Sequence, residues 1–270
     1  MTPFSLIVIT LNAEEHIARC LKSVPFASDV VVVDSGSTDK TVEIATQLGA
    51  RVFQEEWRGF GPQKRRATEL AKHDWVLSLD ADEALSPQAQ EELQALLSEG
   101  DGDGKDQGAA GAGVGAGRLR QHEAFSFPRL SFHMGRWIRH GGWYPDRQVR
   151  LYDRRRTGWD EAQLHEKIMA ENSFRLTHPL QHWVFKDLQD QVAANNRYSS
   201  LGCEQLVAKG RRFTLFHLIV KPKVKFFETY IWKRGFLDGV PGFVIAVGAA
   251  YSVFLRWAKL WEYERLKSRR

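Results

Sequence analysis

The sequence predicts an α/β fold: a mostly parallel, Rossmann-like sheet with helices on both faces, followed by a C-terminal helical tail. In the first hundred residues, short apolar runs without polar alternation are separated by segments whose apolar residues have helical spacing. Strands of this kind are buried on both faces, as in a parallel sheet between two helical layers. The tail is predicted from a dense mixture of Phe, Trp, Val, Lys and Arg over residues 213–261.

Strands and helices alternate through the first part of the chain. The predicted strands are residues 4–10, 30–33, 51–53 and 75–79. The predicted helices are residues 13–21, a helix that begins near Thr38 or Asp39, residues 62–71 and residues 87–98. Thr38 and Asp39 have side chains that cap helices, and the prolines at positions 62 and 87 suit a first helical turn.

A glycine-rich segment interrupts this pattern. Eight of the eighteen residues from 100 to 117 are glycine, and such a segment cannot bury enough apolar surface to offset its ordering entropy. We therefore expect a flexible surface insertion without a catalytic role. Beyond it, strands are predicted at residues 125–132 and 148–152, an aromatic and basic loop at 137–144, and a helix at 187–209.

Composition limits the classes of protein and partner. The 270 residues include 38 Lys and Arg against 33 Asp and Glu, with the excess late in the chain. A basic end favours anionic partners such as lipid head groups, phosphorylated glycans or nucleic acid. The two cysteines, Cys20 and Cys203, indicate neither a disulfide framework nor a zinc cluster.

The chain begins without the positive flank and long apolar core of a signal peptide, so we expect a cytoplasmic location. The longest uncharged stretch, residues 239–255, is shorter than the roughly 20 apolar residues that a bilayer requires, and it contains proline and glycine. Membrane spanning is therefore possible but not favoured.

Asp80 and Asp82 follow a predicted strand directly, at the sheet edge where open α/β sheets bind ligands. Two carboxylates at this spacing can turn toward one divalent cation, and oxygen ligands suit Mg²⁺ or Mn²⁺ bridging a diphosphate. The alternative is a solvated acidic turn before the helix at Pro87.

Two more strand ends place polar groups at the same edge. Asp34 ends the second strand and opens a Ser-Gly-Ser-Thr-Asp loop, while Thr10 and Asn12 follow the first. An aspartate here can accept hydrogen bonds from a nucleobase or ribose, and Gly36 permits close approach of a ligand. The alternatives are a turn in which Asp34 bonds its own backbone and a helix cap formed by Asn12.

These motifs together resemble the signature of family 2 glycosyltransferases, and more closely that of the bacterial lipopolysaccharide core β-1,4-glucosyltransferases. The resemblance covers nearly the whole chain apart from the glycine-rich segment. The residues that carry it are 5–12 (SLIVITLN), 31–39 (VVVDSGSTD), 57–64 (WRGFGPQK), 79–83 (LDADE), 142–151 (GWYPDRQVRL) and the pair His165 and Glu166.

The resemblance implies a GT-A fold and transfer with inversion at the anomeric carbon. It implies a UDP-sugar donor, glucose as the sugar, a divalent metal (Mg²⁺ or Mn²⁺) and a lipopolysaccharide core or related glycan as acceptor. The donor-binding residues implied by the pattern are Thr10, Asn12, Glu14, Asp34, Gly36, Lys64, Asp80 and Arg150, with Asp82 and Asp80 on the metal.

An inverting transfer needs a base for the acceptor hydroxyl, and a carboxylate is the usual choice. The run from Trp159 to Glu166 is rich in carboxylates. By resemblance Glu166 lies where family members place the base. Asp160 is the rival, because the preceding Trp159 can shield it and raise its proton affinity. His178 and His182 flank Pro179, and for each a hydrogen-bonded core histidine is favoured over a third metal ligand.

The motifs also divide the chain by expected function. The predicted parts are a nucleotide-sugar-binding half (1–99), the insertion (100–117), an acceptor-binding half (118–210) and a basic aromatic helical tail (211–270). In the tail, aromatic and cationic residues alternate, which suits contact with an anionic membrane. We therefore expect a peripheral position on the inner face of the plasma membrane and no nucleic-acid partner. A helical cover or a dimer contact is the alternative for the tail.

Three other classes of protein compete with this interpretation. A dinucleotide-binding oxidoreductase would need a Gly-x-Gly-x-x-Gly turn after the first strand, where this chain has Thr10-Leu11-Asn12-Ala13. A sugar nucleotidyltransferase usually has a glycine-rich, basic N-terminal loop, which is missing. A non-catalytic membrane adaptor could retain the fold, but the intact acidic motifs argue against it.

Overall fold

The computed structural model describes residues 1–98, 117–160 and 167–267. The chain divides into two compact units. The sheet unit comprises Met1–Arg129 and Arg147–His182, and the tail unit comprises Leu130–Asp146 and Trp183–Arg270. Residues 118–210 contribute to both. The predicted division at residues 99, 117 and 210 concerns functional halves, which compactness does not test.

The elements follow the alternation that the sequence predicts. The strands are β1 (Phe4–Thr10), β2 (Asp29–Asp34), β3 (Arg51–Gln54), β4 (Trp75–Asp80), β5 (Glu83–Leu85), β6 (Ala124–His133), β7 (Arg136–Ile138), β8 (Asp146–Asp153), β9 (Ser173–Arg175) and β10 (Leu180–Trp183). The helices are α1 (Ile17–Lys22), α2 (Thr41–Gln47), α3 (Phe60–Leu70), α4 (Pro87–Ser98), α5 (Arg118–Gln121), α6 (Leu188–Ala208), α7 (Leu215–Phe227) and α8 (Gly239–Lys267). Between α7 and α8 lie a π-helical turn (Glu228–Trp232) and a 3₁₀ turn (Gly235–Asp238).

The sheet has the strand order β3-β2-β1-β4-β8-β6-β10-β5. Strands β3, β2, β1 and β4 run parallel, and β8 is antiparallel to β4. Alternate side chains of β1 enter two cores. Leu6 and Val8 pack in one with residues of α1, α2 and α4, whereas Ile7 and Ile9 pack in the other with Ala67 of α3. Helices therefore cover both faces, and the predicted fold class is confirmed.

Three local predictions differ from the structure. Helix α1 begins at Ile17 rather than residue 13, and α2 begins at Thr41 rather than near Thr38. The residues before α2 form loop contacts instead of helical ones. The Asp39 carboxylate accepts from the backbone N–H group of Glu14 and from that of Thr41, the first residue of α2. Four short strands, β5, β7, β9 and β10, were not predicted, and β7 overlaps the predicted loop at 137–144. The predicted insertion at 100–117 lies, apart from Gly117, outside the described residues.

In the tail unit α8 packs on α6 and α7. Its buried residues include Ile245, Ala246, Trp257 and Leu260, and His217 of α7 stacks on the Trp257 ring at 4.2 Å between centroids. Within the described residues, Gly235–Lys267 forms one helical stretch that is long and apolar enough to cross a membrane, and an 18-residue window of it has a mean hydropathy of 1.5. Length and composition alone are weak evidence for spanning.

A buried carboxylate ties the loop after β7 to the start of α8. Asp238 is 1 % exposed, and its Oδ2 accepts from the backbone N–H groups of Arg139 at 3.1 Å and His140 at 2.8 Å. Arg136 donates to the Asp238 carbonyl at 2.9 Å, and the Gly141 N–H donates to the Lys233 carbonyl at 2.8 Å. We call this set of bonds the Asp238 clamp.

Candidate active site

The carboxyl ends of β1, β2 and β4 form one edge, which we call the carboxyl rim. Thr10 lies opposite Asp34 in the β1–β2 register, and Ile9 lies opposite Asp80 in the β1–β4 register. Neighbouring strands are about 4.8 Å apart. The structure therefore brings together the three strand ends that the sequence predicts as a ligand-binding edge.

Two loops of the rim are bonded to each other. The Asn12 N–H donates to Ser37 Oγ at 2.8 Å, and Asn12 Oδ1 accepts from the Thr38 N–H at 2.8 Å. Glu14 Oε2 accepts from the Lys40 N–H at 3.1 Å. Asn12 has a φ of 49°, in the left-handed region that asparagine tolerates. These bonds order both loops before any ligand arrives, which lowers the entropy cost of binding.

Asp34 is fully buried within its own turn. Its Oδ2 accepts from the N–H groups of Gly36 at 3.0 Å and Ser37 at 2.9 Å, and its Oδ1 accepts from the Ser37 hydroxyl. This is the turn that the sequence analysis offered as the alternative to nucleobase contact. A carboxylate has further acceptor capacity, so the donor-binding role of Asp34 and Gly36 stays a prediction.

A network of buried charges surrounds Asp80. Its two oxygens contact Lys64 Nζ at 2.8 Å and Arg150 Nη2. Arg150 also donates to Glu83 at 2.7 Å, and Glu83 contacts Arg129 at 3.3 Å. Lys64, Glu83 and Arg150 are each no more than 3 % exposed. Each charge in this network faces an opposite charge, as buried charges require.

The network sets the protonation of its members. Burial alone would raise the pKa of Asp80, but the charges of Arg150 and Lys64 outweigh burial and hold that pKa well below its ordinary value. Burial likewise opposes the charge of Arg150, but Asp80 and Glu83 raise its pKa above the ordinary value. Asp80 is therefore a carboxylate bound to two cations, and its role as a metal ligand stays a prediction.

Asp82 lies two residues beyond β4 in a different environment. Its side chain is 38 % exposed, and its Oδ2 lies 3.4 Å from Nε2 of His182. His182 reaches this position because β10 pairs with β5, which places His182 opposite Glu83. The expectation that His182 is a core histidine is thus incomplete: the ring is buried, but it faces the exposed carboxylate.

The paired aspartates of the sheet unit predict a specific sensitivity to acid. Burial opposes ionisation in Asp29, Asp80 and Asp153, but neighbouring arginines, with Lys64 at Asp80, lower the pKa of all three in the folded protein. In the unfolded chain these carboxylates become protonated as the pH falls through about 4. In the folded protein they stay ionised to lower pH. The free energy of unfolding should stay constant near neutral pH. As the pH falls below about 4, it should decrease by up to about 1.4 kcal/mol per pH unit for each group.

Urea unfolding followed by circular dichroism at a series of pH values measures this fall. The Asp80→Asn variant should show a shallower dependence, because one of the three groups no longer titrates. An Asp80→Asn protein with the same slope as the wild type would show that Asp80 does not contribute.

Helix α3 connects this network to the second half of the chain. Lys64 Nζ lies 4.6 Å from the centroid of the Trp159 ring, and Arg65 donates to the Asp160 carbonyl at 3.0 Å. Trp159 donates to the Tyr152 hydroxyl at 3.0 Å. Burial raises the pKa of Tyr152 to about 12, so this hydroxyl stays protonated. One of the two predicted base candidates, Asp160, is therefore anchored through its backbone beside the Lys64 network.

The other candidate, Glu166, lies outside the described residues, between Asp160 and Lys167. Those two residues are joined by a bond from the Asp160 N–H to the Lys167 carbonyl at 2.9 Å. Trp159 and Ile168 form an isolated antiparallel bridge next to it. Asp160 and Lys167, which flank the segment that contains Glu166, are thus bonded to each other next to Arg65 of α3.

Sequence reasoning missed the roles of Glu83 and Arg129, and it favoured a core position for His182 over metal ligation. The positions of all three depend on long-range strand pairing. The arginines in β8 and directly after it have different partners. Arg154 donates to the carbonyls of Thr68 and Ala71, and Arg155 pairs with carboxylates of Asp74 and Asp153. Of that basic group, Arg150 is the residue that reaches the carboxylates of the rim.

Three comparisons show what this chain is similar to. An uncharacterized glycosyltransferase of Rickettsia felis is 30% identical over 97% of this chain and 90% of its own length. The lipopolysaccharide core biosynthesis glycosyltransferase LpsC of Rhizobium meliloti is 29% identical over 99% of this chain and 95% of its own. The structure of S. aureus TarS 1-349 matches 94% of this chain and 81% of its own, with 20% identity and a TM-score of 0.40.

The family model described as glycosyl transferase family 2 matches residues 5–167. This range contains every rim residue described above together with the segment around Asp160. It spans more than half of the chain and includes α3, strands β2, β3 and β4, and all of β1 except its first residue. The chain belongs to glycosyl transferase family 2.

Proposed function

We propose that the protein is an inverting glycosyltransferase that moves a sugar, most readily glucose, from a UDP-sugar to a lipopolysaccharide core or related glycan acceptor. The observation that carries the proposal is the carboxyl rim, where the exposed Asp82 carboxylate faces His182 beside the cations Lys64 and Arg150. A nucleoside diphosphate needs such a combination of cations and metal ligands around its leaving phosphate.

Buried polar atoms at the carboxyl rim and on the neighbouring α3 and β8 support nucleotide binding. Among the described residues, Thr10 Oγ1, Gln63 Oε1 and Arg150 Nε are buried without a hydrogen-bond partner. Orphaned buried groups cost about 1 to 3 kcal/mol each, so they favour a ligand that satisfies them. Thr10 ends β1, and Gln63 lies in the first turn of α3 beside Ser35. We assign both to donor binding, together with Asn12, Glu14 and Asp34.

Asp82 and His182 fit a divalent metal. They supply one carboxylate oxygen and one imidazole nitrogen, and the 3.4 Å between them is less than twice a metal–ligand distance of about 2.1 Å. No group of three His, Cys, Asp or Glu side chains among the described residues is placed to hold a metal, so the diphosphate and water would complete the coordination. When bound, Mn²⁺ or Mg²⁺ supplies Lewis-acid stabilisation of the departing diphosphate.

Asp80 has a positioning role in this proposal. Its carboxylate holds Lys64 and Arg150 at the rim, where both cations are desolvated and therefore act strongly on nearby negative charge. Glu83 accepts from the same Arg150 nitrogen, Nη2, at 2.7 Å. These side chains keep their geometry without reorganising as the phosphate develops charge, which is the condition for electrostatic stabilisation.

The proton of the acceptor hydroxyl goes to a carboxylate of the 160–166 segment, with Glu166 as the proposed base and Asp160 as its rival. The similarity to LpsC supports a lipopolysaccharide core acceptor. An acceptor of this kind is lipid-linked, so we place the protein at the inner face of the plasma membrane. The basic aromatic tail supports this location.

Donor binding is the most direct test. Thermal unfolding should shift upward with UDP-glucose and Mn²⁺ together, because a ligand that binds only the folded state stabilises it by mass action. ADP-glucose and GDP-mannose serve as nucleotide controls. A shift with UTP and glucose 1-phosphate accompanied by pyrophosphate release would show a nucleotidyltransferase instead, and the absence of any shift with UDP-sugars would contradict the proposal.

His182 should determine which metal is preferred. Mg²⁺ demands near-ideal octahedral geometry and keeps its waters, so Mn²⁺ accepts an imidazole nitrogen in place of a water more readily. We expect His182→Asn to weaken Mn²⁺ binding in the presence of UDP by about tenfold or more. The difference in affinity between Mn²⁺ and Mg²⁺ should therefore become smaller. Electron paramagnetic resonance of free Mn²⁺ measures binding independently of turnover.

His178→Asn is the matched control, since it removes an imidazole from the same segment. The two variants should differ in Mn²⁺ affinity while retaining equal thermal stability. Equal Mn²⁺ affinity of His182→Asn and wild type would remove His182 from the proposed metal site.

A further inference from the structure

Helix α8 has an exposed apolar stripe opposite its buried face. Large apolar side chains recur every three or four residues along one side as far as Phe254, with Trp261 two turns further on, and are each 41 to 71 % exposed. The members of the stripe are Val240, Phe243, Val247, Tyr251, Phe254 and Trp261. A helix that is apolar on both sides requires a second apolar environment in addition to the one that α6 and α7 provide.

The stripe continues onto the turn region between α7 and α8. The Phe243 ring lies 5.8 Å from Phe226 and 5.6 Å from Tyr230. The following residues form what we call the corner, and they include Trp232, which is 71 % exposed. The exposed apolar members of the corner are Phe227, Ile231, Trp232, Phe236 and Leu237.

Cations accompany these apolar groups. Residues 211–267 contain eleven Lys and Arg against four Asp and Glu. Of the acids, Asp238 is buried in its clamp and Glu228 is paired with Lys225 and Lys233. The surface is therefore cationic, which complements an anionic lipid surface and disfavours contact with a second, equally cationic copy.

The packing of α8 decides between lying on a bilayer and crossing it. Lys259 Nζ donates to Asn196, Ser199 and Ser200 of α6 at 2.7 to 2.8 Å, and Trp257 and Leu260 are buried. Spanning would place the middle of α8 in hydrocarbon together with the Gln191 and Asn195 amides of α6, which lie beside Gly248, and these polar groups would lose their hydration. A helix that lies in the interface plane keeps the contact and still buries the stripe.

We propose that the α8 stripe and the corner dock the protein, in the plane of the interface, on an anionic lipid bilayer. The inference deepens the membrane location of the proposed function and rests on it. Because the Asp238 clamp ties residues 139–142 to the corner, docking holds this loop at the bilayer surface. A lipid-linked acceptor presents its sugars in the same layer.

Flotation of the full chain with phosphatidylcholine vesicles, with and without phosphatidylglycerol, tests the proposal. The wild type should float with anionic vesicles and detach as salt increases. Val247→Asp and Val240→Asp place a carboxylate in the stripe and should reduce vesicle affinity about tenfold or more. Val192→Asp is the matched control, because Val192 is a 47 % exposed valine on α6, and it should bind as the wild type does.

Folding and function are checked in the same samples. All variants should retain the wild-type thermal unfolding temperature and the upward shift with UDP-glucose and Mn²⁺. A wild-type protein that floats with anionic vesicles but shows no thermal shift with UDP-glucose and Mn²⁺ would contradict the proposed function. It would not contradict the docking proposal.

Two results would overturn the docking proposal. The first is unchanged flotation of both stripe variants. The second is a wild-type dimer, measured by light scattering, that Val247→Asp converts to a monomer while flotation stays the same, which would assign the stripe to a second copy of the chain.

Discussion

Replacing Asp82 by asparagine is expected to reduce sugar transfer by about a thousandfold, with the fold intact. Asparagine keeps the size of the side chain but removes the charge that would hold the metal, and Lewis-acid stabilisation of a leaving diphosphate is worth several kcal/mol. A loss of about 4 kcal/mol corresponds to three powers of ten in rate. Asp82 is 38 % exposed, so the change should cost little stability.

The measurement is single-turnover transfer from saturating UDP-sugar with excess Mn²⁺. Asp74→Asn is a matched control, because Asp74 precedes β4 at the end of the strand opposite Asp82 and pairs with Arg155. It should retain nearly full activity. An Asp82→Asn protein that keeps more than about a tenth of wild-type turnover would show that the metal role is wrong.

Asp80→Asn should differ from Asp82→Asn in kind. It leaves Lys64 and Arg150 close together without the carboxylate between them, and breaking a buried ion pair is strongly destabilising. Activity and stability should therefore fall together. This contrast separates a positioning residue from a group that meets the metal.

Glu166→Gln is expected to lower turnover by about 10² to 10⁴ while leaving donor binding unchanged. Glutamine retains the size and hydrogen-bonding capacity of the side chain but cannot accept the proton of the acceptor hydroxyl. The pH profile should lose its acidic limb, because that limb reports the ionisation of the base. Thermal shifts with UDP-glucose give the donor affinity independently.

Asp160→Asn must be measured in parallel. The Asp160 backbone is held by Arg65 and Lys167, so the substitution should leave the local chain in place. If the Asp160 variant loses turnover on this scale and the Glu166 variant does not, the roles of the two carboxylates are reversed.

The parallel part of the fold was predictable because its signal is local. Uninterrupted apolar runs identify β1, β2 and β4, and proline marks the beginning of α4. Strand β5 has three residues, Glu83–Leu85, too few to show periodicity. It becomes a strand because β10 pairs with it from far along the chain.

The same distinction applies to the site. Spacing alone predicts that Asp34, Asp80 and Asp82 share an edge, since each follows a strand of one parallel sheet. It does not predict that Lys64 and Arg150 converge on Asp80, because side chains from α3 and β8 meet only in the folded sheet. Nor does it predict His182 beside Asp82, which depends on the β10–β5 register.

The Asp238 clamp restricts how this chain can be recombined with its relatives. If residues 211–267 alone are replaced by the tail of a relative, Asp238 is removed while its loop stays. The N–H groups of Arg139 and His140 then lose the carboxylate to which they donate. The loop from Arg136 to Gly142 has to be exchanged together with the tail. The tail unit is itself discontinuous in sequence, with one segment from Leu130 to Asp146 and another that begins at Trp183, so a chimera has to exchange both segments.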